Sequence, residues 1–170
     1  MGQTRSPTGS KHLPMGSELL PQTRWTWVRT VVNWANLSTP LGPFIAWIGG
    51  ADIRARGRGT YLASGYRWHF TAASAFTIGS VITSKHNRDW LQDRPMLLGH
   101  EDRHCTQYAF CIGVVMLPLY FITVGVSWLL AGNHFAYNPF ERLANLADGG
   151  YPKPVSRLAK ARLAHRHTES

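Results

Sequence analysis

Two long apolar stretches dominate the pattern of hydrophobic and polar positions along this 170-residue chain. The second, residues 109–131, has no charged side chain, and a helix of that length would cross the roughly 30 Å hydrocarbon core of a bilayer. Gly113 and Pro118 interrupt it, and a proline inside a helix removes a hydrogen bond and forces a kink or a stop. We therefore predict an apolar helical hairpin, with one helix from Pro95 to Gly113, a turn near residues 114–117 and a returning helix from Pro118 to Leu130.

The first apolar stretch, residues 25–50, predicts two short helices rather than one membrane span. Arg29 lies inside it, and the segment Ser38-Thr39-Pro40-Leu41-Gly42-Pro43 is expected to break it in the middle. Its aromatic rings are of the kind that favour a membrane interface, and they would serve equally as core aromatics beneath a helix. These rings are Trp25, Trp27, Trp34 and Trp47. The two stretches together favour shallow membrane embedding.

Between the apolar stretches the residue types change from helical to strand-forming. Residues 61–68 and 75–83 are rich in β-branched and aromatic residues, which predicts two strands in a short β-hairpin ahead of the Pro95 helix. Such a strand either holds a substrate backbone at its edge or simply caps the core. The predicted fold is α+β and mainly helical, with a single membrane-associated domain over residues 25–151. A disordered N-terminal tail (1–24) and a basic C-terminal tail (152–170) flank this domain.

The charge of the chain is +9, from 18 Lys and Arg against 9 acidic residues. Basic clusters flank the apolar stretches, which predicts attraction to anionic membrane lipid. Nucleic acid is the rival partner, but no nucleic-acid-binding motif accompanies the charge. The clusters are Arg54, Arg56 and Arg58, and Lys153, Arg157, Lys160, Arg162 and Arg166. Cys105 and Cys111 lie too far apart on one helix for a disulfide, and no signal peptide is visible, so we expect the cytoplasmic face of a membrane.

The run His100-Glu101-Asp102-Arg103-His104 carries the strongest chemical signal in the chain. On a helix, His100 and His104 lie on one face and can bind a single Zn²⁺, while Glu101 reaches the water that the metal activates. The competing explanation is coincidence on a helix surface. The chain contains only four Glu and eight His, which makes a chance match uncommon.

A catalytic zinc site needs a third protein ligand, and Glu141 is the candidate. Asn138 and Pro139 are typical of a helix start, which places Glu141 in the first turn of a new helix. A solvated carboxylate favoured by the helix dipole is the alternative explanation. No other Glu lies between residues 102 and 168, so we expect Glu141 to face the two histidines.

These residues resemble the gluzincin metallopeptidases, in which a HExxH helix is followed by a separate Glu-x-x-Ala helix. The resemblance implies a minimal zincin-like core, a zinc ion on His100, His104 and Glu141, and Glu101 as the general base. The family's supporting Asp is Asn145 here, so either Asn145 or Asp148 is expected to support a ligating histidine. Over residues 70–151 the chain is also similar to small uncharacterised bacterial proteins, through Ala75-x-Thr77-x-Gly79-x-x-Ile82, HExxH followed by Gln107-Tyr108, and Asn138-x-Phe140-Glu141-x-x-Ala144.

Gln107 lies on the same predicted helix face as the two histidines. We expect it to bond to a ligand, a bound carbonyl or the Glu141 carboxylate, or to satisfy a buried backbone group. The resulting functional hypothesis is a membrane-associated zinc metallopeptidase that hydrolyses a peptide or protein substrate. The alternative is a non-catalytic membrane-anchored protein, with or without a structural metal.

Overall fold

The computed structural model describes residues 23–68 and 73–151, and these form the predicted mainly helical α+β fold around a four-stranded sheet. The helices are α1 (Arg24–Ala35), α2 (Ser38–Ile48), α3 (Arg88–Gln92), α4 (Pro95–Phe110), a 3₁₀ turn (Gly113–Val115), α5 (Met116–Ala131) and α6 (Pro139–Leu143). The strands are β1 (Asp52–Gly57), β2 (Thr60–Ser64), β3 (Ala75–Ile78) and β4 (Val81–Ser84). The predicted C-terminal tail lies outside the described residues. So does the predicted N-terminal tail, except that Thr23 caps α1, which begins at Arg24.

The sheet has the strand order β1-β2-β4-β3, with β2 and β4 parallel and the outer pairs antiparallel. The prediction of one strand over residues 75–83 is wrong, because the chain turns at Gly79, where φ is 61°. The strand predicted over residues 61–68 ends at Ser64. Strand β1 was not predicted, since the segment reads as an arginine cluster. The result places β3, an edge strand, beside α4.

The first apolar stretch forms two helices, as predicted, but the break lies at Asn36 and Leu37 rather than at residues 38–43. Leu37 has a left-handed φ of 64°, and the Asn36 side chain accepts hydrogen bonds from the Ser38 amide and hydroxyl (3.1 and 2.7 Å). Pro40 is tolerated in the first turn of α2, where the amide needs no helical partner. Pro43 also lies inside α2, so neither proline of the predicted break interrupts this helix.

The predicted reversal between the two later helices is present, with slightly different boundaries. Helix α4 ends at Phe110, the 3₁₀ turn follows, and α5 begins at Met116. In α5, Tyr120 lies with its ring centroid 6.4 Å from that of His104. Pro118 falls in the first turn of α5, where its missing amide hydrogen removes no helical hydrogen bond, so it does not break this helix.

A buried ion pair fixes α4 against α1. The guanidinium of Arg29 is 2% exposed and donates to both carboxylate oxygens of Asp102 at 2.9 and 3.1 Å. It also donates to the carbonyl oxygen of Arg58, in the turn between β1 and β2. Asn33, one turn further along α1, donates to the carbonyl oxygen of Cys105 at 2.8 Å. The face of α4 that carries Asp102 is therefore held against α1. His100 and His104 lie on the opposite face of the helix.

The segment Gly113–Ala131 is long and apolar enough to cross a membrane by length and composition. The core helix of a soluble protein passes the same test, but such a helix is mostly buried. Here only 17% of the most apolar window is buried. Within the described residues, then, the longest apolar segment presents most of its surface outward.

Candidate metal centre

Helices α4, α5 and α6 bring together the three side chains that were predicted to bind zinc. His100 and His104 lie one turn apart on α4, and Glu141 lies in the first turn of α6, where the Asn138 side chain caps the helix. The Nε2 atoms of the two histidines are 3.1 Å apart. Glu141 places Oε2 3.2 Å from Nε2 of His100 and Oε1 3.6 Å from Nε2 of His104. All three side chains are buried, and they form a group that can hold a metal ion.

The spacing of these atoms fits a tetrahedral zinc ion. Bonds of 2.0–2.1 Å at the tetrahedral angle separate two ligand atoms by about 3.3 Å. The observed separations lie on both sides of that value. Two imidazoles and one carboxylate are also a donor set that catalytic zinc sites use, leaving a fourth position for water.

Hydrogen bonds at the far side of each ring fix which nitrogen carries the proton. Nδ1 of His100 lies 3.0 Å from the carbonyl oxygens of Ala144 and Asn145, which can only accept, so this nitrogen donates. Nδ1 of His104 lies 2.8 Å from Oε1 of Gln107, whose amide donates to the Phe140 carbonyl oxygen, also at 2.8 Å. In the neutral rings both Nε2 atoms therefore present lone pairs to each other and to Glu141.

Three acceptor side chains thus converge, and in the part of the chain that the structure describes the hydroxyl of Tyr120 is the one donor to them. Oε2 of Glu141 is buried and receives no hydrogen bond. Such a group of lone pairs is stable only when a proton or a metal cation lies among them. Burial acts to lower the pKa of His104, but Glu141 and Glu101 outweigh it and raise that pKa. Burial acts to raise the pKa of Glu141, but the two imidazoles hold it well below its usual range.

Glu101 lies beside this group and lines the same cavity as His104 and Glu141. Its side chain is buried, and the Thr77 hydroxyl donates to its Oε2 at 2.6 Å. Burial raises the pKa of Glu101, while His104 and the hydrogen bond from Thr77 act against that rise. The position of Glu101 beside the candidate metal centre is the one that a general base would need.

The residues proposed to support the ligands behave differently from one another. Gln107 bonds to the ligand His104, which was one of the predicted alternatives. Asn145 supports His100 through its backbone carbonyl, not through its side chain. The hypothesis that the Asp148 carboxylate supports a histidine is wrong, because this side chain pairs with Arg103 at 2.6 Å. Backbone carbonyls thus replace the carboxylate that the resemblance implies.

Two hydroxyl groups at the site were not predicted. Tyr120 donates to Oε1 of Glu141 at 2.5 Å, and Thr77 donates to Glu101. A usable signal for Tyr120 exists in the sequence, because Tyr120, Thr123 and Ser127 recur at helical spacing in the otherwise apolar α5. Thr77 is a fixed position of the Ala75-x-Thr77-x-Gly79 pattern and could have been identified from it.

Two clefts meet at the metal centre. The first has a volume of about 460 Å³ and is lined by residues of α2, β3, α4 and α5, most of them apolar. The second is wider, about 990 Å³, and carries polar groups such as Asp93, Arg94 and His134. Glu101 and Tyr120 line both clefts. An extended molecule can therefore pass the candidate base with one part in each cleft.

A scan against protein-family models and searches of curated proteins and of solved structures return no match to this chain.

Proposed function

We propose that this protein is a membrane-associated, zinc-dependent hydrolase of peptide bonds. The convergence of the buried side chains of His100, His104 and Glu141, with Glu101 lining the same cleft as His104 and Glu141, is the observation that carries the proposal. The gluzincin resemblance supports the same assignment. Zinc would bind the two imidazoles and the Glu141 carboxylate.

The residues of the chain have distinct roles in this proposal. When bound, zinc would lower the pKa of a water molecule and polarise the substrate carbonyl. Glu101 accepts the proton of the attacking water and passes it to the leaving nitrogen. Thr77 holds the Glu101 carboxylate in position, and Gln107 keeps His104 in its metal-binding tautomer.

A peptide substrate is supported by the position of β3. This strand forms an edge of the sheet, packs beside α4, and its residues Ala75, Phe76, Thr77 and Ile78 line the first cleft. A peptide in extended conformation can add to such an edge through main-chain hydrogen bonds. The added backbone would then run past Glu101.

Membrane association is supported by the apolar outer surface. Monomeric soluble proteins rarely expose large contiguous apolar patches, yet α5 exposes the side chains Phe121, Ile122, Val126, Trp128, Leu129 and Leu130, and α1 exposes Trp25, Trp27 and Trp34. The basic residues favour anionic lipid, and the free thiols of Cys105 and Cys111 suit the cytoplasmic face.

Metal content and hydrolysis test the catalytic proposal. Protein purified without an affinity tag is expected to contain one zinc per chain, and His104→Ala to lose it. Glu101→Gln should keep the metal and lose hydrolysis of a peptide library by about 100-fold or more, while Asp52→Asn, an exposed acid, serves as the control. Bound metal without activity across the library would instead favour the non-catalytic alternative.

Vesicle flotation and topology mapping test the membrane proposal separately. Binding to vesicles with anionic lipid should exceed binding to neutral vesicles and weaken with salt. Reporter labels after residues 92 and 150 should report the same side of the membrane. Labels on opposite sides would establish a single crossing and contradict the shared metal centre.

A further inference from the structure

The first cleft is larger than one side chain of a peptide would need. A buried cavity of about 150 Å³ holds a benzene ring, and this cleft has about three times that volume at 460 Å³. Ligand sites of this size hold whole small molecules rather than single side chains. Among the described residues that line it, the charged side chains are those of the candidate site itself, Glu101, His104 and Glu141.

The mouth of the cleft lies within the apolar outer surface. Trp68 and Phe121 line the cleft and are also 54% and 57% exposed. Helix α2, which also lines the cleft, exposes Phe44 and Trp47. A hydrocarbon chain can thus pass from the apolar surface into the cleft along apolar side chains. Burial of each methylene group on this path contributes about 0.8 kcal/mol.

The second cleft is the more polar of the two, since Asp93, Arg94, His134 and Asp148 contribute to its lining beside apolar side chains. It meets the first cleft at Glu101 and Tyr120. A molecule that suits both clefts is therefore apolar on one side of Glu101 and carries polar groups on the other. A long acyl chain joined through an amide to a peptide has this arrangement.

We infer that the substrate is an amide whose acyl part is a long hydrocarbon chain and whose amine part is polar, namely an N-acylated peptide. The inference rests on the proposed function and adds the substrate class. Water adds to the amide carbonyl carbon, the C–N bond breaks, and the products are a fatty acid and a free amine. Glu101 transfers the water's proton to the amine nitrogen.

Hydroxamates of increasing chain length test this inference by binding alone. Zinc-loaded protein is titrated with acetohydroxamate and with hexanoyl, decanoyl and dodecanoyl hydroxamates below their micelle concentrations. We expect affinity to rise roughly fourfold per methylene until the cleft is full. Affinity that does not depend on chain length would overturn the inference, and so would a leucyl hydroxamate that binds as tightly as the decanoyl compound. Failure of acetohydroxamate to bind would instead refute the proposed metal site, and the inference with it.

Cleft-filling variants locate the chain. Ile45→Trp and Leu117→Trp each narrow the first cleft from a different wall. Both should remove the additional affinity of decanoyl hydroxamate over acetohydroxamate, while acetohydroxamate binds as before. Ile122→Trp, on the exposed face of α5, is the matched control and should keep that additional affinity. Retained acetohydroxamate binding shows that a variant is folded. Wild-type affinity of both cleft variants for the decanoyl compound would show that the chain does not occupy this cleft.

Discussion

Removal of the Gln107 side-chain amide should weaken metal binding without removing a metal ligand. Gln107 joins His104 to α6 through two hydrogen bonds of 2.8 Å, one from Nδ1 of His104 and one to the carbonyl oxygen of Phe140. In Gln107→Met the chain keeps its length but loses both bonds. The imidazole can then rotate and change tautomer, and groups that orient metal-binding histidines typically contribute 10–100-fold in affinity. We expect the zinc Kd to rise by about that factor, or roughly 1.4–2.7 kcal/mol.

The assay is a zinc titration of metal-free protein in competition with a chromophoric chelator. Urea unfolding of the metal-free variant separates loss of affinity from loss of fold. Gln107→Glu is the matched control, because it keeps an acceptor for His104 and loses the donor to Phe140. Its zinc affinity should fall less than that of Gln107→Met. Wild-type zinc affinity in a folded Gln107→Met protein would refute the assigned role.

Three further changes test the supports of the site. Asp102→Asn leaves the buried guanidinium of Arg29 without its carboxylate, and should lower the free energy of unfolding by about 2–3 kcal/mol in urea titrations, below the 3–5 kcal/mol of a fully buried pair. Gly79→Ala places a side chain at a φ of 61° and within 2.3 Å of the α2 backbone. The free energy of unfolding should therefore fall by more than the roughly 1–2 kcal/mol that the left-handed conformation alone costs, as measured in urea titrations. Thr77→Val removes the hydrogen bond to the general base and should reduce kcat/KM by about 10–100-fold with zinc content unchanged.

Each of these changes has a matched control in the same chain. Asp52→Asn breaks an exposed ion pair and should change stability by less than about 1 kcal/mol. Gly65 has a φ of 78° with open space around it, so Gly65→Ala isolates the conformational cost. Thr77→Ser keeps the hydroxyl and should restore most of the activity. Equal effects within any of these pairs would contradict the corresponding argument.

The residues of the candidate metal centre were predictable because local spacing determines their positions. One helical turn separates His100 from His104, and Asn138 and Pro139 begin the helix that presents Glu141. The approach of Glu141 to the two histidines also required the chain to reverse direction at residues 113–115. Gly113 and Pro118, which interrupt the apolar stretch, indicated this reversal.

The two hydroxyl groups that support the site depend on contacts between distant parts of the chain and were missed, whereas Gln107, which lies on the same helix as His104, was predicted. Thr77 and Glu101 are 24 residues apart, and Tyr120 and Glu141 are 21 apart. Strand β1 was missed for a related reason. Its side chains are largely exposed and include arginines, so its pairing with β2 through the backbone leaves little trace in the hydrophobic pattern.

Helix α5 is apolar and long enough to span a membrane, yet Glu141, which follows it in sequence, lies beside His104. Tyr120, Thr123 and Ser127 form a polar stripe along the helix, and each bonds to the chain that returns from its end. The amide of Tyr137 donates to Ser127, Thr123 donates to the Asn138 side chain, and Tyr120 donates to Glu141. The returning chain thus runs antiparallel to α5. A single crossing would place it on the far side of the bilayer, away from His104.

The proposed membrane association requires α5 to contact lipid while its polar stripe stays covered by protein. Lipid can contact the outer face of α5, where Phe121, Ile122 and Leu129 are exposed, while the stripe remains covered by the returning chain. Under the proposed membrane association, we therefore expect α5 to lie at or shallowly within the membrane surface. Because Tyr120 belongs to that stripe and lines the first cleft, the same helix orients Glu141 and borders the proposed route of the substrate from the bilayer.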